Sequence, residues 1–348
     1  MTDQIELRRL GRTGVHVSAL CLGTMMFGAL GNPDHDDAIS IIRRAIDAGI
    51  NFIDTADVYS SGESEEIVGK AIAGRRDEIV LASKFHGAMG DGPNRRGNSR
   101  RWIHQAVEGS LRRLRTDWID LYQIHRPEPE TELAETLGAL DDLVRQGKIR
   151  YVGTSAFSGA DLVEAQWIAA RRAFTPPHTE QSPYSLLVRA IEAEVLPTAA
   201  RYGVGVVSYG PLAAGWLSGR YRIGEPQPDS QRAGLIAGRF DVDAPANAAK
   251  LAAADALAQL AESMGLSLID LAIAFVLAHP AISATIIGPR THEHLDSYLR
   301  AGAVRLEDDV LDRIDEIVTP GTNFRPRDAG YLPPSVTDPA QRRASRRL

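Results

Sequence analysis

Short apolar runs alternate along the chain with segments whose apolar residues recur every three or four positions. The first kind reads as strand and the second as amphipathic helix. One unit shows the pattern well. Asp34 or a neighbour caps a segment whose apolar residues Ala38, Ile41, Ile42, Ala45 and Ile46 share a helical face. Gly49 ends it, and the strand Asn51 to Ile53 follows. Before this unit, Ile5 to Val17 reads as a hairpin around a Gly11-to-Gly14 turn, and Ser18 to Leu22 as a strand ending at Gly23.

The alternation continues. A helix over Ser64 to Ala73 turns Ile67, Ala71 and Ile72 inward, and the strand Ile79 to Ser83 ends at Lys84. Phe85 to Asn98 is a loop; Ser99 then caps a helix carrying Ile103, Ala106, Val107, Ser110, Leu111 and Leu114. Strand Trp118 to Ile124 ends at His125, and a helix from Thr131 runs to Gly147. Strand Ile149 to Gly153 ends at Thr154 and Ser155, before a helix holding Leu162, Val163 and Trp167. The polar run His178 to Gln181 is the next strand, then the helix Ala190 to Tyr202 and the strand Val204 to Ser208. A Gly-, Pro- and Arg-rich insertion spans Gly210 to Pro245. Helices over Ala246 to Met264 and Ser267 to Ala278, the strand Ala284 to Ile287, and helices over Thr291 to Ala301 and Glu307 to Val318 complete the order. Eight strands alternating with helices predict an α/β fold of parallel β/α units. A closed (β/α)8 TIM barrel leaves no strand edge bare. An open doubly wound sheet would show GxGxxG after its first strand; LGTMMFG stands there, and no GxxxxGK[ST] occurs.

Composition narrows the function classes. The 348 residues, 44% hydrophobic and 24% charged, suit one globular domain over 1–348, with a core of about 5–318 and a tail over 319–348. Net charge of −6 gives no reason to expect nucleic acid or an anionic membrane as partner. The one cysteine, Cys21, lies in an apolar run and makes neither an internal disulfide nor a cysteine metal cluster. The N-terminal MTDQIELRRL lacks an apolar signal region, and Leu266 to His279 is too short to span a bilayer, so a cytoplasmic setting is expected. His35, His86, His104 and His125 show no close His-x-His pairing, which counts against a metal-dependent hydrolase.

The chemistry gathers at GINFIDTADVY, Gly49 to Tyr59. Asp54 stands at a strand's carboxyl end and Tyr59 follows in the loop; Lys84 and His125 end the next two strands. Adjacent barrel strands bring such ends together on the catalytic face. The set suits proton transfer to an oxygen. A free tyrosine has a pKa of about 10, and a neighbouring ammonium lowers it. Lys84 is placed to supply that charge, Asp54 to hold Lys84, and His125 to orient and polarise a carbonyl. None of these side chains carries a hydride, so a redox cofactor is required.

The segments GINFIDTADVYSSGESEEIVGKAI, LASKF, DLYQIHR, LDDLVRQGKIRYVGTS, TEQSPYSLL, PLAAGWLSGRY and IIGPRTHEHL resemble the aldo-keto reductase superfamily, from about Ile5 to Val318. Asp54, Tyr59, Lys84 and His125 match its catalytic tetrad. The resemblance implies a barrel whose floor an N-terminal hairpin closes, with extra C-terminal helices, and NAD(P)H-dependent reduction of an aldehyde or ketone. NADPH is the expected cofactor, with NADH the alternative. Gly23, Thr24 and Met25 would line it beside Asp54. Ser155 and Gln181 match residues that bond the nicotinamide carboxamide; Ala156 replaces the usual Asn. Tyr209 matches the aromatic under the nicotinamide. Gly210, Pro211, Leu212, Gly215, Leu217 and Gly219 would cover the pyrophosphate. Gly288, Pro289, Arg290 and Thr291 form the second phosphate loop, Arg290 suiting a 2′-phosphate. His294 and Tyr298 stand at the adenine end, where Arg or Gln and Asn are usual. Phe27 and Phe85, with Trp216 and Tyr221, are candidate walls for a small-molecule carbonyl. The insertion and the tail after Gly321 are candidate lids, and the tail arginines Arg342, Arg343, Arg346 and Arg347 read as a solvated end. The chain is also similar to potassium-channel β subunits, which share the fold; a nicotinamide-binding regulatory module is the alternative reading. Substrate identity and oligomeric state are not carried by these motifs.

Overall fold

The strands form because the apolar runs alternate between two buried faces. In the computed structural model, which describes residues 5–228, 238–341 and 343, β1 (Leu7–Arg9) and β2 (His16–Ser18) pair as an antiparallel hairpin. Eight parallel strands follow: β3 (Leu20–Gly23), β4 (Phe52–Asp54), β5 (Val80–Phe85), β6 (Ile119–Ile124), β7 (Ile149–Ser155), β8 (Pro177–Pro183), β9 (Gly205–Tyr209) and β10 (Ile282–Ile287). They close in chain order, β10 returning to β3 with Ile286 opposite Cys21.

The barrel interior is layered. Cys21, Phe52, Ala82, Leu121, Val207 and Ala284 fill its lower part together with Leu10 and Val17 from the hairpin. Two residues further along their strands, the same inward face turns polar at Asp54, Lys84 and Gln123, and β8 adds Gln181. The opposite faces, including Leu22, Ile53, Leu81, Tyr122 and Val152, pack against the helices. An apolar floor therefore supports a polar chamber at the strands' carboxyl ends.

Helices α1 (His35–Asp47), α2 (Glu63–Ala71), α3 (Arg100–Leu114), α4 (Leu133–Arg145), α5 (Gly159–Arg172) and α6 (Val195–Tyr202) connect the earlier strands. Asp34 caps α1 by accepting from the N–H groups of Asp36 and Asp37, and the five predicted residues of α1 are its buried ones. Ser99 caps α3, and Ser158 with Asp161 forms a capping box at α5. Later helices are α7 (Ala248–Ser263), α8 (Leu268–Ala278), α9 (His292–Gly302) and α10 (Asp308–Ile317).

Three differences from the sequence pattern have local causes. The expected helix over Ala190 to Tyr202 divides into a 3-10 turn, Ala190–Glu192, and α6. Pro197 lacks an N–H and its ring would meet the Ala193 carbonyl, so the helix starts afresh at Val195. On α5, Val163 and Trp167 are exposed, and Leu162, Ala165 and Ile168 form the inward face instead. The polar β8 is a central strand because its buried polar groups are paired: Glu180 accepts from Thr154 and Ser182, and Gln181 donates to Asp54.

Beyond α10 the chain folds back over the β8–β9 side of the mouth. Arg189 N donates to Thr322 O (2.8 Å), Ala190 N to Asn323 Oδ1 (2.9 Å), and Lys250 pairs with Asp328 (2.7 Å). Gly330 abuts Tyr209: a Cβ there would lie 2.1 Å from the phenolic oxygen. Residues 229–237 of the insertion and the tail residues Arg342, Arg346 and Arg347 lie outside the described residues, whereas Arg343 is exposed. No single helix among the described residues is long and apolar enough to cross a membrane.

Candidate active site

Period-2 alternation places Asp54 and Lys84 on the inward faces of β4 and β5, side by side. Lys84 is fully buried, and its Nζ donates to three oxygens: Asp54 Oδ1 (2.5 Å), the Thr55 carbonyl (2.8 Å) and Tyr59 Oη (3.2 Å). The Tyr59 ring meets that of His125 edge-on, centroids 5.8 Å apart. The four expected catalytic residues thus share one pocket.

The loop carrying Tyr59 is held from several sides. Asp57 N donates to Lys84 O (3.2 Å), tying loop to strand. Ser60, Ser61 and Gly62 then take left-handed backbone, with φ of 46°, 57° and 101°, before α2 begins. Two of these are not glycine, a strain of the kind that active-site loops retain. Ser60 Oγ accepts from Leu30 N (3.2 Å), and Glu63 accepts from Ala29 N (2.8 Å) and pairs with His35 (2.7 Å).

Burial and charge set the protonation states. Burial pushes the Tyr59 phenol upward; Lys84 pulls it down without overcoming that. The expected net lowering is therefore corrected: desolvation of a phenolate costs more than the ammonium returns. Tyr59 therefore stays protonated at neutral pH, with the Lys84 ammonium against its oxygen. For Lys84 burial opposes the charge, yet Asp54 and Tyr59 prevail and its pKa rises. Burial, then Lys84 and Arg126, hold His125 well below the usual imidazole range, so it is a neutral ring that donates one N–H.

Gln123, missed in the sequence, and Gln181, expected there only as a cofactor contact, complete the acid's surroundings. Gln123 Nε2 (3.2 Å) and Gln181 Nε2 (2.8 Å) both donate to Asp54 Oδ2. Gln123 was signalled by being polar at an inward position of the apolar run IDLYQI. Arg126, next to His125, reaches Ser155 Oγ (3.4 Å).

The expected cofactor residues divide. Gly23 sits opposite Asp54, and any Cβ there would strike Ile286 at 2.4 Å. Met25 is exposed at the rim, whereas Thr24 is fully buried and its hydroxyl bonds the Asp54 carbonyl (3.2 Å), which makes Thr24 a strut rather than a lining side chain. Ser155 donates to Gln181 O (2.9 Å), and Ala156 holds φ 60°, a left-handed value that the family's Asn tolerates better than alanine. Tyr209 ends β9 half-buried. After it, Gly210, Gly215 and Gly219 all have positive φ and, like Gly288, face open space where a Cβ would touch nothing within 4 Å. Pro211 and Leu212 lie among them, and the Leu217 side chain turns into the core. After the adjacent strand β10, Thr291 caps α9 by accepting from His294 N (3.2 Å), and Arg290 N faces His294 Nδ1 (3.5 Å). Burial and Arg290 lower the pKa of His294, whose ring lies 6.4 Å from Tyr298. Open glycine loops beside a capped helix N-terminus fit a dinucleotide pyrophosphate.

The aromatic walls are a correction. Because β5 continues through Lys84, Phe85 falls on its opposite face and packs on Tyr122, centroids 5.1 Å apart, fully buried. Phe27 is likewise fully buried in the outer core, and within the insertion Trp216 stacks on Tyr221 at 4.4 Å, both buried. Their side chains pack the core.

Comparison with known proteins agrees with this geometry. Residues 19–319 match the sequence model of the Aldo/keto reductase family. The chain is 40% identical to the uncharacterized oxidoreductase YrpG of Bacillus subtilis over 326 residues, covering 90% of this chain and 96% of that protein. It is 34% identical to a probable voltage-gated potassium channel subunit beta of Oryza sativa over 90% of this chain and 97% of that one. The aldo-keto reductase YhdN of B. subtilis is 35% identical over 84% of this chain and 87% of its own length. With its closed barrel and gathered tetrad, the chain belongs to the aldo/keto reductase family.

Proposed function

We propose that the protein reduces an aldehyde or ketone to an alcohol with NADPH, Tyr59 giving the proton. The observation that carries this reading is the single buried ammonium shared by an acid and a phenol: Lys84 Nζ lies 2.5 Å from Asp54 and 3.2 Å from Tyr59. Bound reduced nicotinamide supplies the hydride. The chain's own groups do the rest. Neutral His125 donates to the carbonyl oxygen and fixes it beside Tyr59. Tyr59 Oη releases its proton to the developing alkoxide, and Lys84 stabilises the phenolate left behind. Asp54 keeps Lys84 charged in a site that would otherwise favour the neutral amine. Gly210, Gly215, Gly219 and Gly288 would hold the pyrophosphate, Ser155 and Gln181 the carboxamide, and Tyr209 the ring. Arg290 beside the N-terminus of α9 favours NADPH over NADH.

The resemblance to channel β subunits supports a second reading, a nicotinamide-binding module with little turnover. Following NADPH absorbance against a panel of aldehydes and ketones separates the two. Carbonyl-dependent loss of absorbance is expected; tight NADPH binding with no turnover on any carbonyl favours the module.

A further inference from the structure

We infer that Gln123 is a positioning residue that holds Asp54 aimed at Lys84, by donating its side-chain amide to the far oxygen of that carboxylate. The inference rests on the proposed reductase reading of the site. Asp54 has two oxygens with separate tasks. Oδ1 faces Lys84 Nζ at 2.5 Å, while Oδ2 accepts from Gln181 at 2.8 Å and Gln123 at 3.2 Å. Gln181 sits at the cofactor side of the chamber, where the resemblance gives it a carboxamide contact. Gln123 is fully buried in β6, and the resemblance gives it no ligand contact. Its Oε1 is a buried acceptor with no partner among the described residues. A buried acceptor left unpaired is destabilising, so an apolar residue would fill this position at less cost. What glutamine adds over leucine is the donor to Asp54. A carboxylate buried to this degree holds its charge only if its lone pairs are met. The groups facing Asp54 are Lys84 from β5, Tyr59 from the catalytic loop and Cys21 from β3. Of these, Lys84 alone is cationic. Gln123 also joins Asp54 to the strand that ends at His125, so one brace registers the acid against the carbonyl-orienting ring.

Two variants with opposite pH signatures test this in the full-length protein. Gln123→Leu loses the donor and the unpaired acceptor together, so it is expected to melt close to wild type. Its kcat falls about tenfold with little change in the KM for NADPH, and the acid limb of its kcat profile moves to higher pH. Gln123→Glu keeps a donor only while protonated, so its rate relative to wild type falls as pH rises. The carbon NMR resonance of the Asp54 carboxylate at neutral pH moves in Gln123→Leu, whether or not turnover is seen. Wild-type inactivity on every carbonyl would sink the reductase reading alone. Wild-type rate and pH profile in a folded Gln123→Leu, or an unmoved Asp54 carboxylate resonance, would overturn the brace itself. If Gln123→Leu does not fold, the trend in Gln123→Glu decides: a flat ratio to wild type across pH overturns it.

Discussion

Asp57 shows how one residue of the catalytic loop links protonation to stability. It is fully buried, neither carboxylate oxygen has a hydrogen-bond partner among the described side chains, and burial with repulsion from Glu65 raises its pKa to about 8. In the unfolded chain the same acid titrates near pH ~4. Between these values the unfolded state releases a proton that the folded state retains, so Asp57 subtracts stability as pH rises from about 4 to about 8. Above that window both states are ionised and the contribution is flat. Asp57→Asn removes the titration and the repulsion from Glu65. The variant is expected to melt above wild type at pH ~8, with the gap closing toward pH ~5. Thermal melts across pH check this, and a gap that grows toward acid would contradict it. Glu180 on β8, raised by burial to about 7, adds a slope of the same sign in both proteins and cancels in the comparison.

At the scale of elements, the hairpin is the piece on which the barrel floor depends. Leu10, fully buried, reaches the layer made by six barrel strands, whereas Leu7 on the same hairpin is 55% exposed. Leu10→Ala is expected to cost about 2–5 kcal/mol and Leu7→Ala close to nothing, measured by denaturant unfolding. Equal effects would mean that the hairpin is an ornament. The element order was legible in the sequence because strand and helix periods differ and because Asp34, Gly49, Ser99 and Gly147 punctuate them. The tetrad was legible for a related reason: Asp54, Lys84 and His125 end apolar runs, and a strand's end is visible where its pattern stops. Which face a residue takes was less legible. Phe85 looked like the first residue of a loop, but β5 runs one pleat further and turns its ring into the core. Gln123 was hidden by lying inside a strand rather than at its end. The division of the expected helix at Pro197 and the outward face of α5 depended on neighbours that one chain segment does not display.

The whole molecule joins a rigid barrel to a return of the tail across its mouth. That return is clasped by Lys250 and Asp328, 2.7 Å apart and both buried, with Arg239 3.5 Å from the same carboxylate. Asp328→Ala strands the Lys250 ammonium beneath Trp216, which lies 5.2 Å away. A loss of about 3–5 kcal/mol is expected, with earlier proteolytic cleavage in the tail than in the barrel. Unchanged melting and cleavage would show that the clasp is idle. The account as a whole turns on the phenol that Lys84 touches. Tyr59→Phe keeps the ring, its edge-on contact with His125 and the cofactor loops, and deletes one oxygen. The decisive measurement is carbonyl-dependent NADPH oxidation by Tyr59→Phe, with NADPH binding read from fluorescence quenching on the same preparation. The account predicts NADPH binding like that of wild type and a kcat lower by about 10²–10⁴-fold; near-full turnover with binding intact would contradict it.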